Sequence, residues 1–139
     1  MASNTKAVYI EGIGRRKTAT ARVRLVPSTS ATANAVTVNG KEYTEYFKHA
    51  SLQQDLVSVL GTKDAGIQYY TITAKVMGGG LSSQAGAIRL GIARALVKEK
   101  ADRRIPLKRE GYLKRDPRSV ERKKFGLRKA RKRPAWSKR

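Results

Sequence analysis

The positive charge of this 139-residue chain is concentrated near its C-terminal end. Residues 1–97 carry 12 Lys and Arg against 5 acids, whereas residues 98–139 carry 19 against 5, out of a net charge of +21. The last 22 residues hold 11 basic side chains, one acid and four sizeable apolar residues with no helical or strand period. Burial in such a segment cannot offset its ordering entropy and self-repulsion, so we expect it to be disordered alone and to order against a polyanion.

Aromatic and arginine side chains are interleaved in this basic tail. Phe125 and Trp136 can stack on bases, and arginine planes can both stack and bridge phosphates, which is how proteins bind single-stranded or looped RNA. Fully extended, the 22 residues reach roughly 70 Å at about 3.3 Å per residue. The alternative interpretations are a solvated solubility tail and a localisation signal.

The composition excludes most catalytic and metal chemistry. The chain has no cysteine, and its single histidine, His49, has no second histidine or cysteine with which to build a site. We therefore interpret His49 as a loop or helix-cap residue and expect no enzyme activity, no cofactor and no small-molecule substrate. The N-terminus lacks an apolar signal-like segment, and no stretch approaches the roughly 18 apolar residues of a membrane span, so we expect a cytoplasmic protein without a membrane partner.

Two alternating segments predict strands in one compact domain. Residues 17–26 place Arg22 and Arg24 on a basic, solvent-facing side and apolar residues on the other, and residues 67–76 alternate in the same way. Residues 36–40, with the sequence Val-Thr-Val-Asn-Gly, predict a further strand that ends in a tight turn.

A hairpin is predicted before the first of these strands. Residues 7–13 form a β-rich run, and Gly12-Ile13-Gly14 supplies turn chemistry. Arg15, Arg16 and Lys17 would then lie at the tip of the hairpin.

Two helices are predicted downstream. Ser51 is expected to cap the first, whose apolar stripe runs to Leu60 before Gly61 ends it. The second, of about 18 residues, follows the Gly-Gly-Gly-Leu-Ser-Ser segment that starts at Gly78. The glycines within it, Gly86 and Gly91, indicate the close approach of another backbone.

The glycine-rich segment has two interpretations. A strand, three glycines, a capping serine (Ser82 or Ser83) and a helix N-terminus can accept a phosphate, but the same pattern serves a tight strand-to-helix turn. The segment is similar to the ATP-phosphate loop of the galactokinase, homoserine, mevalonate and phosphomevalonate kinases. Because the chain is short and its acids are scattered, we do not expect kinase activity, and an RNA phosphate fits the same geometry.

Three motifs together resemble the S-nine family of small-subunit ribosomal proteins in its bacterial form. They are GRRKTATARV at residues 14–23, GGGLSSQAGAIR at 78–89 and DPRSVERKKFGLRKARKRPAWSKR at 116–139. They occur in the family's order, and the resemblance extends from about Val8 to the terminus.

The resemblance implies a compact α/β (α+β) body like the second domain of ribosomal protein five, with about four strands in a mixed sheet backed by helices. We expect this RNA-binding body at residues 1–101 and a basic extension and tail at 102–139. The family binds small-subunit rRNA in the head beside neighbouring head proteins, and its tail threads through rRNA to the anticodon stem-loop of peptidyl-site tRNA.

Carried over by position, the tRNA contacts are Ser137, Lys138 and Arg139. With the basic strand face and the glycine-rich segment included, the expected rRNA contacts are Arg15, Arg16, Lys17, Arg22, Arg24, Gly78, Gly79, Gly80, Ser82, Ser83, Gln84, Arg89, Arg115, Arg118, Arg122, Lys123, Lys124, Arg128, Lys129, Arg131, Lys132, Arg133 and Trp136.

Two positions depart from the family pattern, and one alternative function stays open. Ala135-Trp136 stands where the family commonly has Gln-Phe, which keeps an aromatic ring but loses an amide, and Leu90 stands where members often have a polar residue or histidine. The alternative is a free nucleoid-type DNA-binding protein, because composition alone does not separate DNA from rRNA. No helix-turn-helix pattern, zinc site or dimer stripe in the sequence supports it.

Overall fold

The structure, a computed structural model, describes residues 9–28, 34–62, 66–67 and 69–138. Ala7, Val8 and Gln68 of the predicted strands, and Arg139 of the tail, lie outside these residues. In chain order the elements are β1 (Ile10–Arg16), β2 (Ala19–Pro27), β3 (Ala35–Val38), β4 (Lys41–Glu42), α1 (Tyr43–Tyr46), α2 (Ala50–Val57), a 3₁₀ helix (Ser58–Gly61), β5 (Tyr70–Met77), α3 (Leu81–Glu99), a second 3₁₀ helix (Ala101–Arg103) and α4 (Arg104–Arg109).

The strands form one mixed sheet in the order β1-β2-β5-β3-β4. Neighbouring strands are antiparallel except for β3 and β5, which run parallel. The predicted tight turn is confirmed, because Asn39 and Gly40 both have positive φ angles, of 50° and 82°. This turn leads into the two-residue β4, which makes five strands where about four were expected.

The predicted alternation of β2 and β5 is confirmed. Every second residue of each strand is buried, from Ala19 to Leu25 in β2 and from Tyr70 to Val76 in β5. The buried side faces α3, which lies across β1 and β2, while α2 packs against α3. Burying each leucine or isoleucine of this layer contributes roughly 1.5–3 kcal/mol relative to an exposed position. The opposite side of the sheet faces solvent.

Glycines let α3 lie unusually close to β1. A β-carbon at Gly14 would lie 1.8 Å from the carbonyl oxygen of Ala87, and one at Gly12 would lie 2.2 Å from that of Gly91. The prediction that Gly12 and Gly14 form a turn is therefore wrong, because both lie inside β1 and face the helix. The hairpin itself is confirmed, with its turn at Lys17 and Thr18.

The glycines within α3 have different neighbours. A β-carbon at Gly91 would lie 2.7 Å from the Val23 side chain and 3.4 Å from the backbone nitrogen of Gly14, so the expected close approach is confirmed there. At Gly86 the nearest atom is Cδ of Arg16, at 2.6 Å. The expectation of a second backbone is wrong at Gly86, where the small residue accommodates an arginine side chain.

Both predicted helix caps are wrong. His49, not Ser51, occupies the N-cap of α2, without a capping hydrogen bond from its side chain. Gly80 occupies the N-cap of α3, and Ser82 and Ser83 lie inside the first turn. Gly61 closes the 3₁₀ helix after α2, as expected of the residue that ends this helical segment.

The packed body continues past residue 101. Arg103 is buried and donates hydrogen bonds to the Tyr70 hydroxyl (2.9 Å), the Glu99 carboxylate and the Gly66 carbonyl oxygen. Burial, together with the Glu99 carboxylate, raises the pKa of the Tyr70 hydroxyl. Leu107 of α4 is fully buried in the same core as β5 and α3. This cluster of hydrogen bonds therefore joins the segment after α3 to the sheet.

Beyond α4 the chain is irregular. After a turn at 110–114, residues 115–138 contain no helix or strand. None of the helices described here is long and apolar enough to cross a membrane.

Because α3 and β1 lie so close together, adding a single methyl group between them should lower the stability of the protein strongly. Gly14→Ala should lower the free energy of unfolding by at least about 2 kcal/mol, because the added carbon forces strand and helix apart. Gly61→Ala is the matched control, since a β-carbon there meets nothing within 4 Å, and it should change stability by less than about 1 kcal/mol. Urea unfolding followed by circular dichroism measures both, and equal stabilities would contradict the packing argument.

Candidate nucleic-acid interface

One carboxylate joins the start of the tail to the body. Asp116 accepts a hydrogen bond from the Arg16 guanidinium at 3.1 Å, across 100 residues of sequence. It also accepts hydrogen bonds from the backbone N–H, Nε and Nη2 of Arg118. The Arg118 hydrogen bonds, together with the charges of Arg118 and Arg16, lower the pKa of Asp116. Asp116 therefore stays ionised at neutral pH and connects the tail to the end of β1.

Arg16 is held from three sides. Its side chain lies on Gly86, and its guanidinium points to the Ser82 carbonyl oxygen at 3.5 Å and to Asp116. Its neighbours Arg15 and Lys17 are exposed, and Lys17 takes a positive φ of 50° at the turn. Three residues of the hairpin are predicted RNA contacts. Arg15 and Lys17 are exposed and can bind a phosphate, whereas the Arg16 guanidinium is paired with Asp116 of the tail.

The tail contains a second local constraint. Glu121 accepts hydrogen bonds from Lys124 at 2.6 Å and from Arg131 at 2.9 Å, which lower the pKa of its carboxylate. The Arg128 backbone N–H donates to the Lys132 carbonyl oxygen at 2.7 Å, next to a turn at Gly126 with a φ of 72°. Residues 121–132 therefore form a loop and not a straight strand.

Most tail cations point into solvent. Trp136 is 82% exposed and Phe125 is 97% exposed, so both rings are available for stacking. The exposed polar and charged residues among the predicted tail contacts are Arg115, Arg118, Arg122, Lys123, Lys124, Arg128, Lys129, Arg131, Lys132, Arg133, Ser137 and Lys138.

The solvent-facing side of the sheet is basic, as the alternation predicted. Arg22 of β2 lies directly opposite Lys75 of β5, and both are exposed, although like charges in this arrangement repel. Arg24 is more constrained, because it bonds to Glu11 at 3.2 Å and lies 4.4 Å from the ring centre of Tyr9. Arg22 and Lys75 therefore form the uncompensated part of this surface.

The glycine-rich segment is explained largely by packing. Gly78 and Gly79 have φ angles of 74° and 67°, and β-carbons there would lie 2.7 Å from the Thr18 carbonyl oxygen and 3.0 Å from Ala19. The tight-turn interpretation therefore accounts for both residues without a ligand. Gly80 has open space around its α-carbon and precedes the α3 N-terminus, which has no side-chain cap.

The side chains after these glycines brace the turn. Gln84 donates to the Gly78 carbonyl oxygen at 3.1 Å and accepts from the Tyr46 hydroxyl at 2.9 Å. Ser83 is buried, whereas Ser82 is exposed. Only Ser82 of this pair presents its side chain to a partner.

Two residues of α3 that the sequence analysis singled out, Arg89 and Leu90, make contacts within the body. Arg89 forms an ion pair with Asp55 of α2, with its guanidinium 5.9 Å from the ring centre of Tyr112. Leu90 is buried, so the position where the family often has a polar residue does not reach the surface. Among the residues that the structure describes, no group of three or more His, Asp or Glu side chains is placed to hold a metal ion.

Sequence reasoning missed the role of Asp116. The available signal was a single acid at the beginning of a strongly basic segment, but its partner Arg16 lies 100 residues away. It also missed that five cations of α3, α4 and the turn after α4 lie close together.

Comparisons with the sequences of known proteins identify the family of this chain. The family model described as Ribosomal protein S9/S16 matches residues 14–139. The small ribosomal subunit protein uS9 of Gloeothece citriformis is 52% identical over 96% of this chain and 94% of its own length. The proteins of the same name from Nostoc punctiforme (49%, covering 99% and 96%) and Thermosynechococcus vestitus (46%, covering 100% and 98%) are similar over nearly their full lengths.

These relatives are named as ribosomal proteins and not as enzymes, so the chain belongs to the class of structural ribosomal proteins. The chain belongs to the ribosomal protein S9/S16 family, with a match that includes the hairpin turn, the glycine-rich segment and the whole tail. The resemblance drawn from the three motifs is confirmed, and so is the mixed α/β fold class.

The Asp116 contact predicts a variant that releases the start of the tail. In Asp116→Ala, nuclear Overhauser contacts between residues 117–120 and the β1–β2 turn should disappear, because Arg16 loses its carboxylate partner. Glu121→Ala is the matched control, since Glu121 bonds only within the tail among the described residues, and it should keep these contacts.

The wild-type contact should also weaken in acid. Because the pKa of folded Asp116 is depressed, its stabilisation is present above the ordinary aspartate pKa of 3.8 and is lost progressively as the pH falls below it. Contacts that persist in Asp116→Ala at neutral pH would contradict the role assigned to this carboxylate.

Proposed function

We propose that this small-subunit ribosomal protein binds rRNA in the head of the subunit and extends its tail to the anticodon stem-loop of peptidyl-site tRNA, as an architectural component in the cytoplasmic ribosome. The observation that carries the proposal is an exposed basic tail without helix or strand, attached to a folded body at Asp116. Neighbouring head proteins are the other expected partners.

The body and the tail have different parts in this proposal. The body, whose core packing extends to Leu113, offers exposed cations at Arg15, Lys17 and Arg22 to rRNA. The tail, whose cations are mostly exposed and not paired with acids, supplies most of the binding free energy through release of counterions from the phosphate backbone. Its final residues, Lys138 and Arg139, support the tRNA backbone and read no sequence.

The tail should give rRNA binding a steep salt dependence. If it neutralises on the order of 8 phosphates, log K falls with log salt with a slope near −6 to −7. Truncation before Arg128 removes 7 cations and should make the slope less steep by about 5 to 6. The body should still unfold cooperatively, because every core residue lies upstream.

The measurement is filter binding to protein-free small-subunit rRNA from 0.05 to 0.5 M salt, with urea unfolding of both proteins. A slope near zero for the full chain would refute the proposal. Loss of cooperative unfolding on truncation would show that the tail is part of the folded core. Sedimentation in a sucrose gradient adds the test against DNA binding, since a ribosomal protein should travel with small subunits at low salt and leave them only when the rRNA unfolds.

The two terminal cations should contribute more to the binding of peptidyl-site tRNA than to the binding of rRNA. Small subunits carrying Lys138→Ala with Arg139→Ala should bind peptidyl-site tRNA more weakly, with the deficit growing as magnesium is lowered, because fewer cations then screen the tRNA backbone. The control, Arg122→Gln with Lys123→Gln, removes the same charge from an exposed earlier part of the tail. Equal tRNA occupancy for the terminal variant and wild type at every magnesium concentration would contradict this role.

A further inference from the structure

A basic cavity lies between the C-terminal half of α3 and the segment from α4 to residue 114. It has a volume of about 720 Å³, within the ~300–1,000 Å³ of pockets that hold small ligands. Arg94 and Lys98 line it from α3, and Arg104, Lys108 and Lys114 line it from the opposite side. Among the described residues no acid lines it.

The floor of this cavity is apolar. Val97 and Leu113, both half-buried, pack against the hydrophobic core and contribute the floor. The turn at Gly111, with a φ of 78°, brings the chain back so that Leu113 faces α3. The cavity thus combines apolar side chains, Val97 and Leu113, with a rim of cations, a combination that suits a ring system carrying negative charge nearby.

The charges on the rim are not compensated within the described residues. Arg94 donates to the Ile13 carbonyl oxygen at 2.8 Å and Lys98 to the Glu11 carbonyl oxygen at 3.1 Å, and these neutral acceptors orient the side chains without cancelling their charge.

The three cations opposite α3, Arg104, Lys108 and Lys114, form no ion pair in the described part of the chain. Elsewhere on the body arginines pair with acids, as Arg24 does with Glu11 and Arg89 with Asp55. Five such charges around a concave surface focus a positive potential.

We propose that this cavity binds one nucleotide of the small-subunit rRNA, with its base on the Val97–Leu113 floor and its flanking phosphates on the rim. The inference rests on the proposed rRNA binding and adds a site to it. RNA fits better than an acidic protein segment because the cavity is continuous with the tail: Lys114 lines the cavity, and Arg115 begins the tail. An RNA strand that runs along the tail toward the body would therefore reach the cavity directly after Arg115.

The first test removes the three cations whose side chains form no hydrogen bond with any described residue. Arg104→Gln, Lys108→Gln and Lys114→Gln together should leave folding intact and make the salt slope for protein-free small-subunit rRNA less steep by about 2 to 3, since each contact contributes roughly 0.7 to 0.9. The control carries Lys41→Gln, Lys48→Gln and Lys100→Gln, which remove the same charge from exposed positions that do not line the cavity. An equal change in both variants would attribute the effect to net charge and overturn the proposal.

The second test identifies the occupant. The full chain with the photoreactive amino acid benzoylphenylalanine in place of Lys108 is assembled into small subunits and irradiated. A crosslink to one rRNA nucleotide supports the proposal, whereas a crosslink to a neighbouring protein, or none, overturns it. If full-length wild type shows no salt-dependent rRNA binding, the proposed function fails, but if wild type binds and the cavity variant matches its control, only the cavity assignment fails.

Discussion

The contact between the backbones of α3 and β1 determines where the candidate RNA-binding groups lie. Gly12 and Gly14 remove the side chains that would otherwise separate a helix from a strand, so α3 lies directly on the hairpin. The N-terminal turn of the helix then meets the hairpin turn, where Arg16 crosses Gly86 and reaches Asp116. Without this close approach Arg16 could not span the distance, and the start of the tail would lose its attachment to the body.

The acids of this protein shape its positive surface more than they neutralise it. In the tail, Asp116 forms an ion pair with the hairpin and Glu121 forms ion pairs within the tail. Each acid neutralises a few cations and holds the backbone around it in place. In the body, Glu99 holds the buried Arg103 and thereby positions the segment that leads to the tail. Most of the other cations in the described part of the chain are exposed and form no ion pair, which explains how so basic a chain can fold in part while keeping most of its charge for a partner.

The sequence was informative wherever structure depends on neighbouring residues and misleading wherever it depends on distant ones. A period of two is a local property, so the alternation in β2 and β5 and the apolar face of α3 were predictable. Glycine serves both turns and close packing, so the sequence favours a turn at Gly12 and Gly14, whereas the structure places α3 directly on them. The attachment of Asp116 to Arg16 and the five-cation cavity join residues that are distant in sequence, and no periodicity reports such contacts.

The two α3 side chains that touch β1 also have a consequence for self-association. β1 is one of the two edge strands of the sheet, and an edge strand with free carbonyl groups can pair with a strand from another molecule. Arg94 and Lys98 donate to the carbonyl oxygens of Ile13 and Glu11 and add two positive charges along that edge. A second copy that approached this edge would meet occupied acceptors and like charge. Pairing between two copies through the β1 edge is thereby disfavoured.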